Sequence, residues 1–173
     1  SDKIEVISAL LEKADTILIG GAMAYTFRKA QGYEVGMSLV ENDKQELALE
    51  ILKKAKEKGV KFLLPADTRI TKEFKEGAET WNTQVYGEGG AIPADKEGID
   101  IGDVAIAEFK EVLLTAKTVL WNGPMGVFEK KGYEVGTREM GIHLVSCIAN
   151  GTKVIVGGGD TASALDDPLP LFQ

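Results

Sequence analysis

Three observations predict an α/β fold in which a mostly parallel, Rossmann-like sheet lies between two layers of helices. Short apolar runs alternate with longer segments at helical spacing, the pattern of a parallel sheet covered on both faces. Two of those runs end in glycine-rich turns, Asn122-Gly123-Pro124-Met125-Gly126 and Gly157-Gly158-Gly159-Asp160-Thr161. No linker or low-complexity stretch interrupts the 173 residues, so residues 1–173 are expected to form a single domain.

The elements follow in order. Ile4, Ile7, Leu10 and Leu11 share one face of a first helix that runs to about Ala14. Thr16–Ile19 is a short buried strand, broken by Gly20-Gly21, and Ala22–Ala30 reads as helix. A loop through Gly32 and Gly36 leads to a helix over about Asp43–Lys58. Leu47, Ile51, Leu52 and Ala55 form its inner stripe and Gly59 its C-cap. Lys61–Leu64 is a strand stopped by Pro65. Residues 66–102 are less regular, with a strand over Thr80–Tyr86 and glycines crowding 87–90. Helix resumes over Asp103–Ala116, followed by a strand at Thr118–Trp121, a helix at Thr137–Ala149 and a last strand at Lys153–Val156. Gly-Tyr-Glu-Val-Gly occurs at both 32–36 and 132–136, but the flanks differ, so it is read as coincidence rather than repeat.

Composition narrows the function classes. A net charge of −7 with interspersed signs argues against nucleic acid and against a basic membrane-surface patch as partners. A polyanionic ligand would therefore have to be held by local donors. No apolar run approaches the roughly 18 residues of a membrane span, and Ser1-Asp2-Lys3-Ile4 does not resemble a signal peptide. Cys147 is the sole cysteine and lies in an apolar helical stretch, which fits a buried thiol and a reducing, cytoplasmic setting. His143, the sole histidine, has no second ligand in pattern and is read as a helix-face residue. The lysine-rich run 53–58 is read as a solvated helix end, and Trp121 as packing.

The two glycine-rich turns carry chemistry. Glycines let backbone N–H groups approach an anion, and a helix start adds partial positive charge. An aspartate beside phosphates suits Mg²⁺, directly or through water. Asp160 would serve there; alternatively it caps its own helix. The combination points to a nucleotide-phosphate site.

The segments WNGPMGVFE (121–129), GGGDT (157–161), SDKI (1–4), IGGAMAYTF (19–27) and LLPAD (63–67) occur in one order. Ile92-Pro93 and then Gly98-Ile99-Asp100-Ile101-Gly102 complete the set. Together they resemble the nucleotide-binding, C-terminal half of phosphoglycerate kinase. The resemblance implies transfer of a phosphoryl group between 1,3-bisphosphoglycerate and ADP in glycolysis, with ADP/ATP as nucleotide and Mg²⁺ as metal. By the same resemblance Lys3 and Gly159 are the catalytic candidates, Lys3 contacting the transferred phosphate and Asp2 orienting it; a solvated terminal lysine is the alternative. Gly158, Gly159, Asp160 and Thr161 would hold the nucleotide phosphates with Asn122, and Asp160 would be the metal residue. Glu129 would meet the ribose hydroxyls and Pro124 an apolar slot. Gly20, Gly21 and Gly98 would line the adenine slot, where Ala22 replaces a third glycine. Ile99 would line the same slot or equally serve as a core aliphatic, and Gly98 could instead be a plain turn.

Two family segments are expected to be missing: a lysine-bearing run before Ser1, and a glycine-rich turn and closing helix after Thr161. The phosphoglycerate-binding N-terminal half would then be an absent partner. A monomer that binds nucleotide and turns over little is expected. The alternative is an isolated non-catalytic α/β module or folding fragment.

Overall fold

The two central apolar runs become parallel strands because neither of their faces meets water. The computed structural model describes residues 7–122, 125–126 and 130–157. Residues 7–10 are helical and turn at 11–13 into β1 (Thr16–Ile19) and α1 (Gly21–Ala30). A 3-10 turn at Asn42–Lys44 opens α2 (Gln45–Lys58). Next come β2 (Lys61–Leu63), β3 (Thr68–Thr71), β4 (Thr80–Asn82) and β5 (Glu97–Ile101). The described chain closes with α3 (Asp103–Leu113), β6 (Thr118–Asn122), α4 (Val135–Ala149) and β7 (Lys153–Gly157). The main sheet has the order β2-β1-β6-β7 with every pair parallel.

Alternation along β1 and β6 generates the three layers. Ile17, Ile19 and Leu120 pack with Phe27 of α1 and Ile51 of α2 on one face. Leu18, Val119 and Trp121 pack with Phe109 of α3 and Met140 of α4 on the other. Each such side chain contributes about 1.5–3 kcal/mol of burial, so sliding either strand by one residue would exchange the two cores. The stripe of α2 meets its core through Ile51 and Ala55, and the lysines of 53–58 point outward. Gly59 ends that helix at φ 70°, in the left-handed region where a side chain is strained.

Residues 66–102 are more regular than their sequence suggests. They form a second, antiparallel sheet of order β4-β3-β5. Its strands are short and polar, so no apolar run announces them. Thr68 and Thr71 are buried by hydrogen bonding instead: Thr68 Oγ1 lies 2.7 Å from the Tyr86 hydroxyl, and Thr71 Oγ1 donates to the Glu79 carbonyl at 2.9 Å. The strand expected over Thr80–Tyr86 stops at Asn82, where the Thr83 hydroxyl accepts the Thr68 N–H. The helix expected to reach Ala116 ends at Leu113, because Thr115 and Ala116 close tighter turns onto Val112 and Leu113. The helix expected from Thr137 begins at Val135.

Aspartates, half-buried or buried, tie these elements together through backbone donors. Asp15 accepts the N–H groups of Lys117 and Thr118, joining the starts of β1 and β6. Asp67, 1% exposed, accepts Val104 N–H at 3.2 Å and Ala105 N–H at 2.7 Å, supplying the cap that Gly102 cannot. Asp67→Ala leaves both donors unpaired beside a buried helix end. It should lower unfolding free energy by about 2 kcal/mol, measured by urea denaturation; a loss under about 0.5 kcal/mol would contradict this cap.

Candidate functional site

All carboxyl ends of a parallel sheet lie at one edge, so the residues that end β1, β6 and β7 are brought together by register alone. Ile19 pairs with Asn122, and Asn122 with Gly157. Gly20 follows Ile19 in extended conformation, and a Cβ there would lie 2.7–2.9 Å from Met125. Only a glycine lets the segment after β6 approach β1 so closely. Gly21 begins α1 at φ 63°, a second requirement for glycine. The N-terminus of α1 therefore opens at the strand ends, with its N–H groups and dipole directed to that edge. Ala22 is exposed on the first turn.

Asn122 is the unusual residue at this edge. It is 2% exposed, yet its Oδ1 has no hydrogen-bond partner among the described residues. A buried amide oxygen left unpaired costs about 1–3 kcal/mol. Such a group fits a ligand or a metal-bound water, since rotation of the amide presents either an acceptor or a donor to the space beyond β6.

The adenine-slot candidates beyond Gly20 and Gly21, namely Gly98 and Ile99, lie in the antiparallel sheet. Gly98 belongs to β5 and not to a turn; its N–H donates to Ser38 Oγ at 3.0 Å. The Tyr25 hydroxyl lies directly over it, in the space a side chain would fill. Ile99 is 1% exposed and packs in the interior. A cavity of about 10 Å³, room for about one water, lies between Gly21, Tyr25, Arg28, Tyr86, Asp100 and Met125, and so joins α1, β5 and the segment after β6.

Asp100 sits at this junction, 2% exposed. Its Oδ1 accepts Ile101 N–H and its Oδ2 accepts Gly136 N–H, both at 2.8 Å. Burial raises its pKa from 3.8 to about 7, outweighing those two hydrogen bonds and Arg69. Tyr25 is likewise pushed well above its ordinary value, first by burial and then by Tyr86 and Asp100. Sequence reasoning quoted Tyr25 and Asp100 within motifs and gave neither a role. The available signal was a charged residue between two apolar ones in a strand.

Of the remaining candidates, Lys3, Pro124, Glu129, Gly158, Gly159, Asp160 and Thr161 lie outside the described residues. Among the described residues no group of three or more His, Cys, Asp or Glu side chains is placed to hold a metal. Asn122 Oδ1 is a hard oxygen suited to Mg²⁺, but one neutral ligand does not make a magnesium site. Cys147 is buried, with its thiol raised by desolvation, and its Sγ lies 3.9 Å from the Leu113 carbonyl. His143 is half-buried on α4, its Nε2 enclosed and unpartnered among the described residues. No helix among the described residues is long and apolar enough to cross a membrane.

The family model for phosphoglycerate kinase matches residues 1–168. The chain belongs to the phosphoglycerate kinase family. It is 56% identical to the phosphoglycerate kinase of Akkermansia muciniphila over 165 residues, covering 95% of this chain and 40% of that protein. The enzyme of Clostridium perfringens is 52% identical, with 96% of this chain and 40% of that protein covered. The solved phosphoglycerate kinase of Coxiella burnetii superimposes with a TM-score of 0.81 at 37% identity, over 95% of this chain and 41% of that one. The chain thus spans about 40% of the length of the phosphoglycerate kinases it matches.

The raised pKa of Asp100 gives a signed prediction. Between about pH 4 and pH 7 the folded state holds a proton that the unfolded chain has released. Its contribution to stability is therefore greatest at low pH and falls as pH rises toward 7, by an amount of order 4 kcal/mol. Urea unfolding at pH 4.5 and pH 8 should show this fall, and Asp100→Asn should flatten it. An unchanged slope in the variant would contradict the assignment.

Proposed function

We propose that this chain is the nucleotide-binding part of a phosphoglycerate kinase, taking MgADP or MgATP at the carboxyl edge of its parallel sheet. The carrying observation is the unpartnered, buried Oδ1 of Asn122, set between Ile19 and Gly157 beside the close-packed Gly20. A nucleotide meets that unpaired group either through a bound water that donates to Oδ1 or, with the amide turned over, through a phosphate oxygen that accepts from its NH₂. The acidic balance of the chain opposes anions in general, so selectivity falls to local N–H donors and the N-terminus of α1.

In the complete reaction the acyl phosphate of 1,3-bisphosphoglycerate passes to ADP. Such transfers depend on positioning and charge neutralisation rather than on a covalent intermediate with the protein. Lys3 would face the transferred group, and the N–H of Gly159 would meet the same phosphate. Gly158 and Thr161 would hold the remaining nucleotide phosphates with Asn122. Bound through Asp160, Mg²⁺ would neutralise phosphate charge. Glu129 would take the ribose hydroxyls, with Pro124 against an apolar part of the nucleotide and Gly21 and Gly98 beside the base. The acceptor substrate is assigned to the N-terminal half, a partner in the transfer, and the reaction to the cytoplasm. In this reading the chain acts as a monomer that binds nucleotide and needs the other half for turnover; it spans about 40% of the length of the relatives it matches. The same span supports the second reading, a non-catalytic module.

Calorimetric titration with ADP, with and without Mg²⁺, separates the two. Metal-enhanced binding that weakens about tenfold in Asn122→Ala and loses its metal dependence in Asp160→Ala supports the nucleotide reading. Folded protein that gives no heat at two temperatures overturns it.

A further inference from the structure

We infer that Asp100 is a positioning residue for the nucleotide site, holding β5, the Met125–Gly126 segment and the first turn of α4 in one arrangement. The inference rests on the nucleotide reading above and adds to it a residue that touches no substrate. Three contacts carry it. The Asp100 carboxylate accepts Gly136 N–H from α4 and Ile101 N–H from β5, each at 2.8 Å. Gly126 packs on the same residue: a Cβ there would lie 2.8 Å from both the Cα and Oδ1 of Asp100. A Cβ on Gly136 would collide with Oδ1. Two glycines are thus needed for the backbone to close around one side chain.

The tie reaches the site on two sides. Gly98 and Ile99 precede Asp100 in β5, beneath Tyr25. Met125, whose N–H donates to the buried Thr137 hydroxyl at 3.0 Å, lies against Gly20. Loosening Asp100 would therefore let Met125 and Gly126 move relative to β5 and α1.

The chemistry explains why a carboxylate stands here. Both of its oxygens meet N–H donors. A protonated carboxyl has one oxygen carrying hydrogen, and an asparagine turns an NH₂ toward one of the two donors. Only the ionised form accepts at both oxygens without conflict. Burial makes that form unfavourable for stability, so what it contributes here is geometry rather than folding free energy. The groups that face Asp100 are few. Arg69, its partner across β3, favours the charge; Glu134, beside the start of α4, opposes it; Tyr25 of α1 is neutral at physiological pH.

The test compares wild-type chain with Asp100→Asn at pH 5.5 and pH 8.5, by amide hydrogen exchange and by ADP calorimetry. The expected result at pH 8.5 is about tenfold faster exchange at Gly136 and Met125 in the variant, with Leu18 and Leu120 still protected. ADP should bind about tenfold more weakly to the variant at pH 8.5. The wild-type to variant affinity ratio should fall toward one at pH 5.5, a ratio in which ADP's own titration cancels. Equal weakening at both pH values, no weakening, or a ratio that grows as pH falls would each overturn the inference. Wild-type chain that fails to bind ADP removes the nucleotide reading instead. The exchange arm then still decides whether Asp100 holds the three segments. Should the variant not fold, exchange in the wild type decides: protection of Gly136, whose N–H donates to the Asp100 carboxylate, well above that of exposed loop amides supports the tie, and an unprotected Gly136 overturns it.

Discussion

Burial of β1 and β6 on both faces is the constraint on which the rest of the molecule depends. Ile17 and Ile19 face one helix layer while Leu18 faces the other, and Leu120 stands opposite Val119 and Trp121 in the same way. Because the side-chain period of a strand is two residues, this double burial permits a single register. That register sets Ile19, Asn122 and Gly157 side by side at the carboxyl edge. The apolar core thus decides where polar residues can meet a ligand, although it supplies none of them.

Aspartates do the complementary work. Asp15 joins the amino ends of two strands, Asp67 caps α3 across the interface between the sheets, and Asp100 joins β5 to α4. Each satisfies backbone N–H groups that no regular element could reach, and each is more expensive to bury than an apolar residue. The antiparallel sheet is fastened to the main one largely by such bonds, with the Arg28 side chain adding a 2.6 Å hydrogen bond to the Pro65 carbonyl and stacking on Tyr86. Acceptors of this kind have directional demands that apolar packing lacks, and so they fix the angle at which the two sheets meet the site.

Much of the main sheet was legible in the chain. Thr16–Ile19 read as a strand because runs buried on both faces are continuously apolar, Lys153–Val156 because of its short apolar run, and Gly59 read as a cap because left-handed backbone favours glycine. The antiparallel sheet was not legible. Thr68–Thr71 and Thr80–Asn82 are held by hydroxyl and backbone hydrogen bonds between segments distant in sequence, which leave no periodic trace. At the site, the structure places Gly20, Gly21 and Asn122 where β1 and β6 end, but the unpaired Oδ1 of Asn122 is a property of its surroundings. Gly98 allowed a turn or a slot; it lies in a strand and not a turn, with Tyr25 over it. Asp100 stood in a quoted motif, yet its partners Gly136 and Gly126 come from remote segments that only the fold brings near.

The central claim is that a nucleotide engages the carboxyl edge of the sheet through Asn122. The most direct measurement is a ¹⁵N-resolved NMR titration of this chain with MgADP, following the Asn122 side-chain amide. That resonance should shift together with the backbone amides of Gly20 and Gly98, while Lys61 and Lys153, at the opposite edge, stay still. Saturating shifts elsewhere with a static Asn122 amide would contradict the account.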